Sequence, residues 1–153
     1  MNERIRRFIE NRWLDDQPAA DDDIVDLWES ALDSYDHART APPRYQFLAG
    51  YDAGRIAAQA IVRARNLRVR ATNHHEMTIQ AAAQLSVPEL RTLLHTLDEM
   101  RKERSALEYG GVGRVSSERA NAVIDLLRRL LPLAAENLRE ERPGLVTRIR
   151  FSA

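Results

Sequence analysis

Arg104 stands where a hydrophobic residue is due. Leu90, Leu93, Leu97, Met100, Arg104 and Leu107 follow one another at intervals of three and four. On a helix they share one face, and the guanidinium points into the protein. A lone charge there is very costly, so it needs an acceptor. Glu108, four residues on, lies about 40° away around the helix and Arg101 about 60° away, at roughly 100° per residue. A second arginine interrupts a second stripe: Leu48, Tyr51, Arg55, Ala58 and Val62 keep the same spacing, with Asp52 three residues before Arg55. Two helices that each set an arginine in an apolar stripe, with a carboxylate in reach, predict a charged pocket between facing helices. Arginine's planar fork suits phosphate, so Arg55 and Arg104 read as an anion site. The same pairs read equally as ion pairs that orient the helices.

His74 and His75 follow Asn73, the expected N-cap of a helix. Backbone N–H groups at such an end favour an anion, and Arg68 and Arg70 are close in sequence. The positive end of a helix disfavours imidazolium, which leaves a neutral imidazole able to serve as a base. Adjacent side chains diverge by about 100°, so one histidine at most faces the pocket, and His74 is the candidate. Solvent-facing or capping histidines are the structural alternative. No metal site is expected, because the chain has no Cys and no HExxH, and His74 has no partner histidine at helical spacing.

Other chemistries are excluded or weakly supported. The absence of cysteine removes thiol nucleophiles, disulfides and iron–sulfur ligation. There is no GxGxxG, GxxxxGK[ST] or GxSxG, and YGGVG after Glu108 reads as a helix stop. Trp13, Trp28 and the tyrosines fit helix packing better than a base-stacking platform.

The elements that must position these residues read as helices throughout. The 153 residues, 44% hydrophobic and 30% charged, suit a single soluble globular domain. A first helix is expected over Glu3 to Leu14, then an acidic linker, DDQPAADDD, that does not pack. Further helices are expected from Asp21–Asp23, from Pro42-Pro43 to about Arg65, from Asn73 to Gln84, from a capping box at Ser86–Glu89 to Gly110-Gly111, and from Ser116 or Ser117, with a kink or break at Pro132. The expected organisation is residues 1–22 as helix and linker, 23–141 as a bundle, and 142–153 as a tail that is extended or docks on a neighbour.

The formal charge sums to zero, with 23 basic and 23 acidic residues, but unevenly. Residues 1–40 hold 11 acids and 5 arginines, a formal −6, which leaves +6 on the remainder. No acid falls between Asp52 and Glu76, where Arg55, Arg63, Arg65, Arg68 and Arg70 cluster. A basic patch suited to nucleic acid is one reading, and a solvated arginine-rich face is the other. The apolar runs are too short to span a membrane and the start lacks a secretory core, so a cytoplasmic protein is expected.

Three segments together carry a resemblance. YDAGRIAAQAIVRARNLRVR (Tyr51 to Arg70), NHHEMTIQAA and MRKERSALEYGG resemble the HEPN superfamily of small helical bundles, in particular a branch with an Arg…Glu-Tyr signature. The likeness covers roughly residues 30–140 and implies an all-α, five- to six-helix up-and-down bundle. It also implies a homodimer acting on RNA in a toxin–antitoxin or defence system, by metal-independent cleavage and with no cofactor. The family's pattern is an arginine, a polar residue, and a histidine after four to six intervening positions. Here Arg104 and Ser105 match, and Tyr109 occupies the histidine's place. An unperturbed tyrosine titrates near ~10 and offers a hydrogen bond rather than a base at neutral pH. The resemblance therefore implies a weak or degenerate ribonuclease, with Arg104, Glu108, Tyr109 and His74 catalytic and Arg55, Arg68, Arg70, Arg101 and Ser105 binding phosphate. The alternative is a non-catalytic helical module that regulates a partner protein.

Overall fold

A computed structural model describes residues 2–70, 74–109 and 115–151, with only the backbone for 107–109. The expected cap Asn73, the stop at Gly110-Gly111 and the side chains of Leu107, Glu108 and Tyr109 lie outside the described residues. Among the described residues the protein is an all-α bundle, 78% helical, with one small sheet. The order is α1 (Glu3–Glu10), β1 (Leu14–Asp16), α2 (Asp21–Thr40), α3 (Pro43–Ala64), β2 (Leu67–Val69), α4 (His74–Gln84), α5 (Pro88–Tyr109), α6 (Ser117–Glu141) and a 3-10 turn, Pro143–Leu145. None of the described helices is long and apolar enough to cross a membrane.

Helix α3 is the central element, touching α2, α4, α5 and α6. Its composition explains the position. Ala53, Ala57, Ala58 and Ala60 are all fully buried, so neighbours approach on every side. Two glycines allow the closest approaches: a Cβ at Gly50 would stand 2.5 Å from Val123 Cγ1 on α6, and one at Gly54 would stand 2.8 Å from Leu97 Cδ1 on α5. The Gly54 contact brings α5 against α3 within one turn of Asp52 and Arg55. Trp28, Tyr35, Phe47 and Tyr51 fill the largest volumes of the core.

Several local expectations change. The first helix stops at Glu10, and Leu14 enters a strand pair with β2, antiparallel and in register Leu14↔Val69, Asp15↔Arg68 and Asp16↔Leu67. Arg12 and Asn66, flanking the two strands, take left-handed backbone at φ 60° and 59°. Asn tolerates that conformation well. The Asn66 side chain is also used, its Oδ1 accepting from Ala19 N at 3.2 Å and from Arg142 at 2.9 Å.

The acidic linker stays mostly exposed but is tethered by hydrogen bonds. Arg63 donates to the carbonyls of Gln17 and Pro18, and Arg142 donates to the Ala19 carbonyl and to Asp21. Cationic donors thus satisfy a backbone that has few apolar side chains to bury. Asp23 accepts from Ala20 N at 3.1 Å at the start of α2, and Ser116 caps α6 by accepting from Arg119 N. The Ser86 hydroxyl does not complete a capping box but donates to the Ala82 carbonyl at the end of α4.

Pro132 does not end α6, which continues from Ser117 to Glu141. Leu130, Leu131, Ala134, Ala135 and Leu138 are buried on either side of it. Burial of each leucine contributes about 1.5–3 kcal/mol, enough to offset the ~3 kcal/mol cost of an interior proline. The C-terminal segment docks on its own chain. Ile149 is fully buried, Trp28 Nε1 donates to the Arg150 carbonyl at 2.9 Å, and Phe151 packs on Tyr35.

Candidate functional site: an arginine cluster around Tyr51

The two arginine-bearing stripes meet. Asp52 Oδ1 lies 3.7 Å from Arg55 Nε on its own helix and 3.7 Å from Arg104 Nη2 on α5. One carboxylate thus links the two helices, at ion-pair rather than hydrogen-bond distance. The Arg55 and Arg104 side chains are only 21% and 15% exposed, as their place in apolar stripes requires. Arg101 completes the group from α5, bound to Asp98 at 2.9 Å and within 3.7 Å of Glu76 on α4.

Tyr51 lies at the centre of this cluster and is fully buried. Arg104 Cζ sits 5.5 Å from its ring centroid, and the His75 ring packs at 6.3 Å. Burial pushes the phenol up to about 12, although Arg55, Arg104 and Arg101 all pull the other way. The hydroxyl is therefore a neutral donor at physiological pH. Tyr51 Oη, Asp52 Oδ1 and Arg55 Nε are buried and hydrogen-bond to none of the described residues. Buried polar atoms are normally satisfied, by an ion or water where not by protein. The hydroxyl and the guanidinium are donors that suit an oxyanion, which would share Arg55 with the Asp52 carboxylate 3.7 Å away.

His75, rather than His74, faces the cluster. Burial first, then the positive charge of Arg55 and Arg104, holds the His75 imidazole below its ordinary value, with Asp52 opposing weakly. It is neutral at pH 7 and able to accept a proton. His74 is exposed, its ring 6.5 Å from that of His75, and it lines a separate pocket of about 290 Å³ with Arg63 and Arg68. The choice between adjacent histidines depends on the rotation of α4. That rotation is set by burying Met77, Ile79, Ala81 and Ala82, and no local signal encodes it.

The remaining candidates divide. Arg70 is bound to Asp15 at 3.1 Å across the strand pair, and Arg65 to Glu141 at 2.7 Å. Arg68 donates to the neutral Gln17 side chain at 3.3 Å and has no carboxylate partner among the described residues. The acid-free stretch is thus partly neutralised by acids distant in sequence. Ser105 is half-buried next to Arg104, and no described contact joins it to the cluster. Glu108 and Tyr109 side chains lie outside the description. No group of three or more His, Asp or Glu suited to a metal ion occurs among the described residues. Two participants were missed at the level of sequence: Tyr51, read as packing alone, and His75. The i to i+4 relation of Tyr51 to Arg55 was the available signal for the first.

No family model matches this chain, and comparisons with curated proteins and with solved structures also give no match.

Proposed function

We propose that this chain is a HEPN-like, RNA-directed protein of a toxin–antitoxin or defence system that cleaves RNA weakly and without metal. In this reading His75, on α4, supplies the base that Tyr109 does not. The partly exposed Arg55 holds the phosphodiester above the buried Tyr51, and Arg104 opposes the charge that develops on it. His75 takes the 2′-hydroxyl proton, the 2′ oxygen attacks phosphorus, and the bond to the 5′ oxygen breaks. The products are a 2′,3′-cyclic phosphate and a 5′-hydroxyl that is protonated from water. The observation that carries this reading is a neutral histidine packed on a buried tyrosine that two arginines flank. A homodimer that brings two Arg104 regions together, and an antitoxin-like protein partner, belong to the same proposal.

A second reading rests on a different observation. Arg55, Arg101 and Arg104 each have a carboxylate within 4 Å, as a purely structural network would. The protein is then a non-catalytic module that regulates a partner.

Metal-free protein incubated with labelled tRNA and mRNA separates the two. Wild type is compared with Arg104→Ala and His75→Gln, with circular dichroism verifying that each variant is folded. Cleavage by wild type that is lost in both variants supports the ribonuclease. Retention without cleavage supports a degenerate RNA binder, and neither supports the regulatory module.

A further inference from the structure

The pocket on the other side of the histidine pair is chemically unlike the Tyr51 cluster. It encloses about 290 Å³, and its polar lining among the described residues is Gln17, Gln59, Arg63, Arg68, His74 and Thr78, with no carboxylate. Arg63 is fixed in place by donating to the carbonyls of Gln17, Pro18 and Leu67, so its charge is presented without rotamer freedom. Arg68 reaches the same space from β2, held among the described residues by Gln17 Oε1. Burial and then the charge of Arg68 hold the Arg63 guanidinium below its ordinary value, while Asp23 opposes them. Arg63 and Arg68 therefore repel across the cavity, and none of the described residues lining it is a carboxylate.

The two sites adjoin. His74 lines the pocket, His75 packs on Tyr51, and their rings are 6.5 Å apart. We infer that the Arg63–Arg68–His74 pocket is a second phosphate subsite, which receives the backbone phosphate next to the one held at Arg55. The ligand is then a single-stranded chain with at least two successive phosphates, rather than a mononucleotide or free phosphate. This inference rests on the RNA-directed reading and specifies its substrate class. Arg63 serves both the fold and the subsite, whereas Arg68 is exposed and makes one long hydrogen bond among the described residues, so Arg68 is the residue to change.

The test uses two probes that cannot be cleaved, 2′-O-methyl UpU with one phosphate and a nine-nucleotide 2′-O-methyl oligouridine. Binding is measured against salt for wild type, Arg68→Gln and Arg55→Gln. Arg68→Gln is expected to lower affinity for the long probe about tenfold more than for UpU. It should also reduce the salt slope on the long probe by roughly 0.7, the contribution of one single-strand phosphate contact. Arg55→Gln is expected to weaken both probes alike. Equal losses on the two probes with Arg68→Gln, or none on either, overturn the second subsite while leaving the RNA reading intact. If wild type binds neither probe, the RNA reading fails and the subsite with it.

Discussion

The Arg104 guanidinium faces the ring of Tyr51, with Cζ 5.5 Å from the centroid. A cation in that position gains about 0.5–2 kcal/mol from the ring, more as water is excluded. The contact ties α5 to α3 at the level where Asp52 also joins them, so packing and electrostatics converge on one layer of the bundle. It explains how a charge is tolerated in an apolar stripe: the arginine stem is buried and its head has both an aromatic face and a carboxylate.

Asp52 is the shared partner of two arginines, and its replacement should cost more than that of an ordinary surface carboxylate. Asp52→Asn is expected to destabilise by about 1–3 kcal/mol, below the range for a fully buried pair because the carboxylate is partly exposed. Urea unfolding of the variant measures it. An unchanged midpoint would mean that the cluster contributes nothing to stability.

Tyr51 should titrate late. Tyr51, raised to about 12, stays protonated while the unfolded chain ionises near ~10. The native state therefore binds the extra proton in this window, and stability falls as pH rises from about 10 towards 12. Ultraviolet titration should resolve this phenol in wild type and lose it in Tyr51→Phe. A titration curve identical in the two proteins would contradict the buried, desolvated environment.

For His75 the sign is reversed. Its folded value lies below the unfolded value of ~6.5, so the unfolded state takes up the proton first and stability declines as pH drops below about 6.5. Tyr51, Asp52, Arg55, Arg104 and His74 are the ionisable groups that act on it. His75→Gln should flatten this part of the stability profile relative to wild type. In the ribonuclease reading, the acid limb of cleavage should also fall below pH 6.5. An acid limb above that value would remove His75 as the base.

Gly54→Ala places a Cβ 2.8 Å from Leu97 Cδ1, and Gly50→Ala places one 2.5 Å from Val123 Cγ1. Alanine is the better helix former by about 1 kcal/mol, yet overpacking costs about 1–3 kcal/mol. Net destabilisation is expected for both, and Gly54→Ala should also weaken the Asp52–Arg104 link by moving α5 outwards. Thermal melts, with the Arg104→Ala background as reference, test this coupling. Simple additivity would show that the glycine does not position the arginine.

Arg142 holds four partners, donating to the Ala64 and Ala19 carbonyls, Asp21 and Asn66, all at 2.8–2.9 Å. Arg142→Ala should leave part-buried acceptors without their donor and cost about 1–3 kcal/mol. Hydrogen exchange should become faster in residues 14–21 before it does in α3. Protection unchanged in that segment would deny the clamp.

Much of the bundle was legible because helical spacing is a local property. The apolar residues of the stripes through Leu90–Arg104 and Leu48–Val62 are buried, apart from the half-buried Leu48, and α2 and α6 start within a residue or two of their polar signals. The strand pair was not legible. Its three residues on each side are too few to set up a period of two, and they pair across half the bundle. Pro132 misled for a related reason, since its cost is local and the burial that outweighs it is not.

The same division holds for the site. The sequence by itself determined that Arg55 and Arg104 would be turned inward, because a side chain's direction on a helix follows from the residues three and four positions away. It determined too that each would need an acceptor, because an isolated interior charge is too costly. Only the tertiary structure decided that Asp52 serves both arginines, that Tyr51 fills the space between them, and that His75 rather than His74 turns towards them. It also decided which cations of the acid-free stretch are neutralised, since Asp15 and Glu141 reach Arg70 and Arg65 from distant parts of the chain. Periodicity fixes an angle about one helix axis; the distance and rotation between two helices come from how their buried surfaces fit.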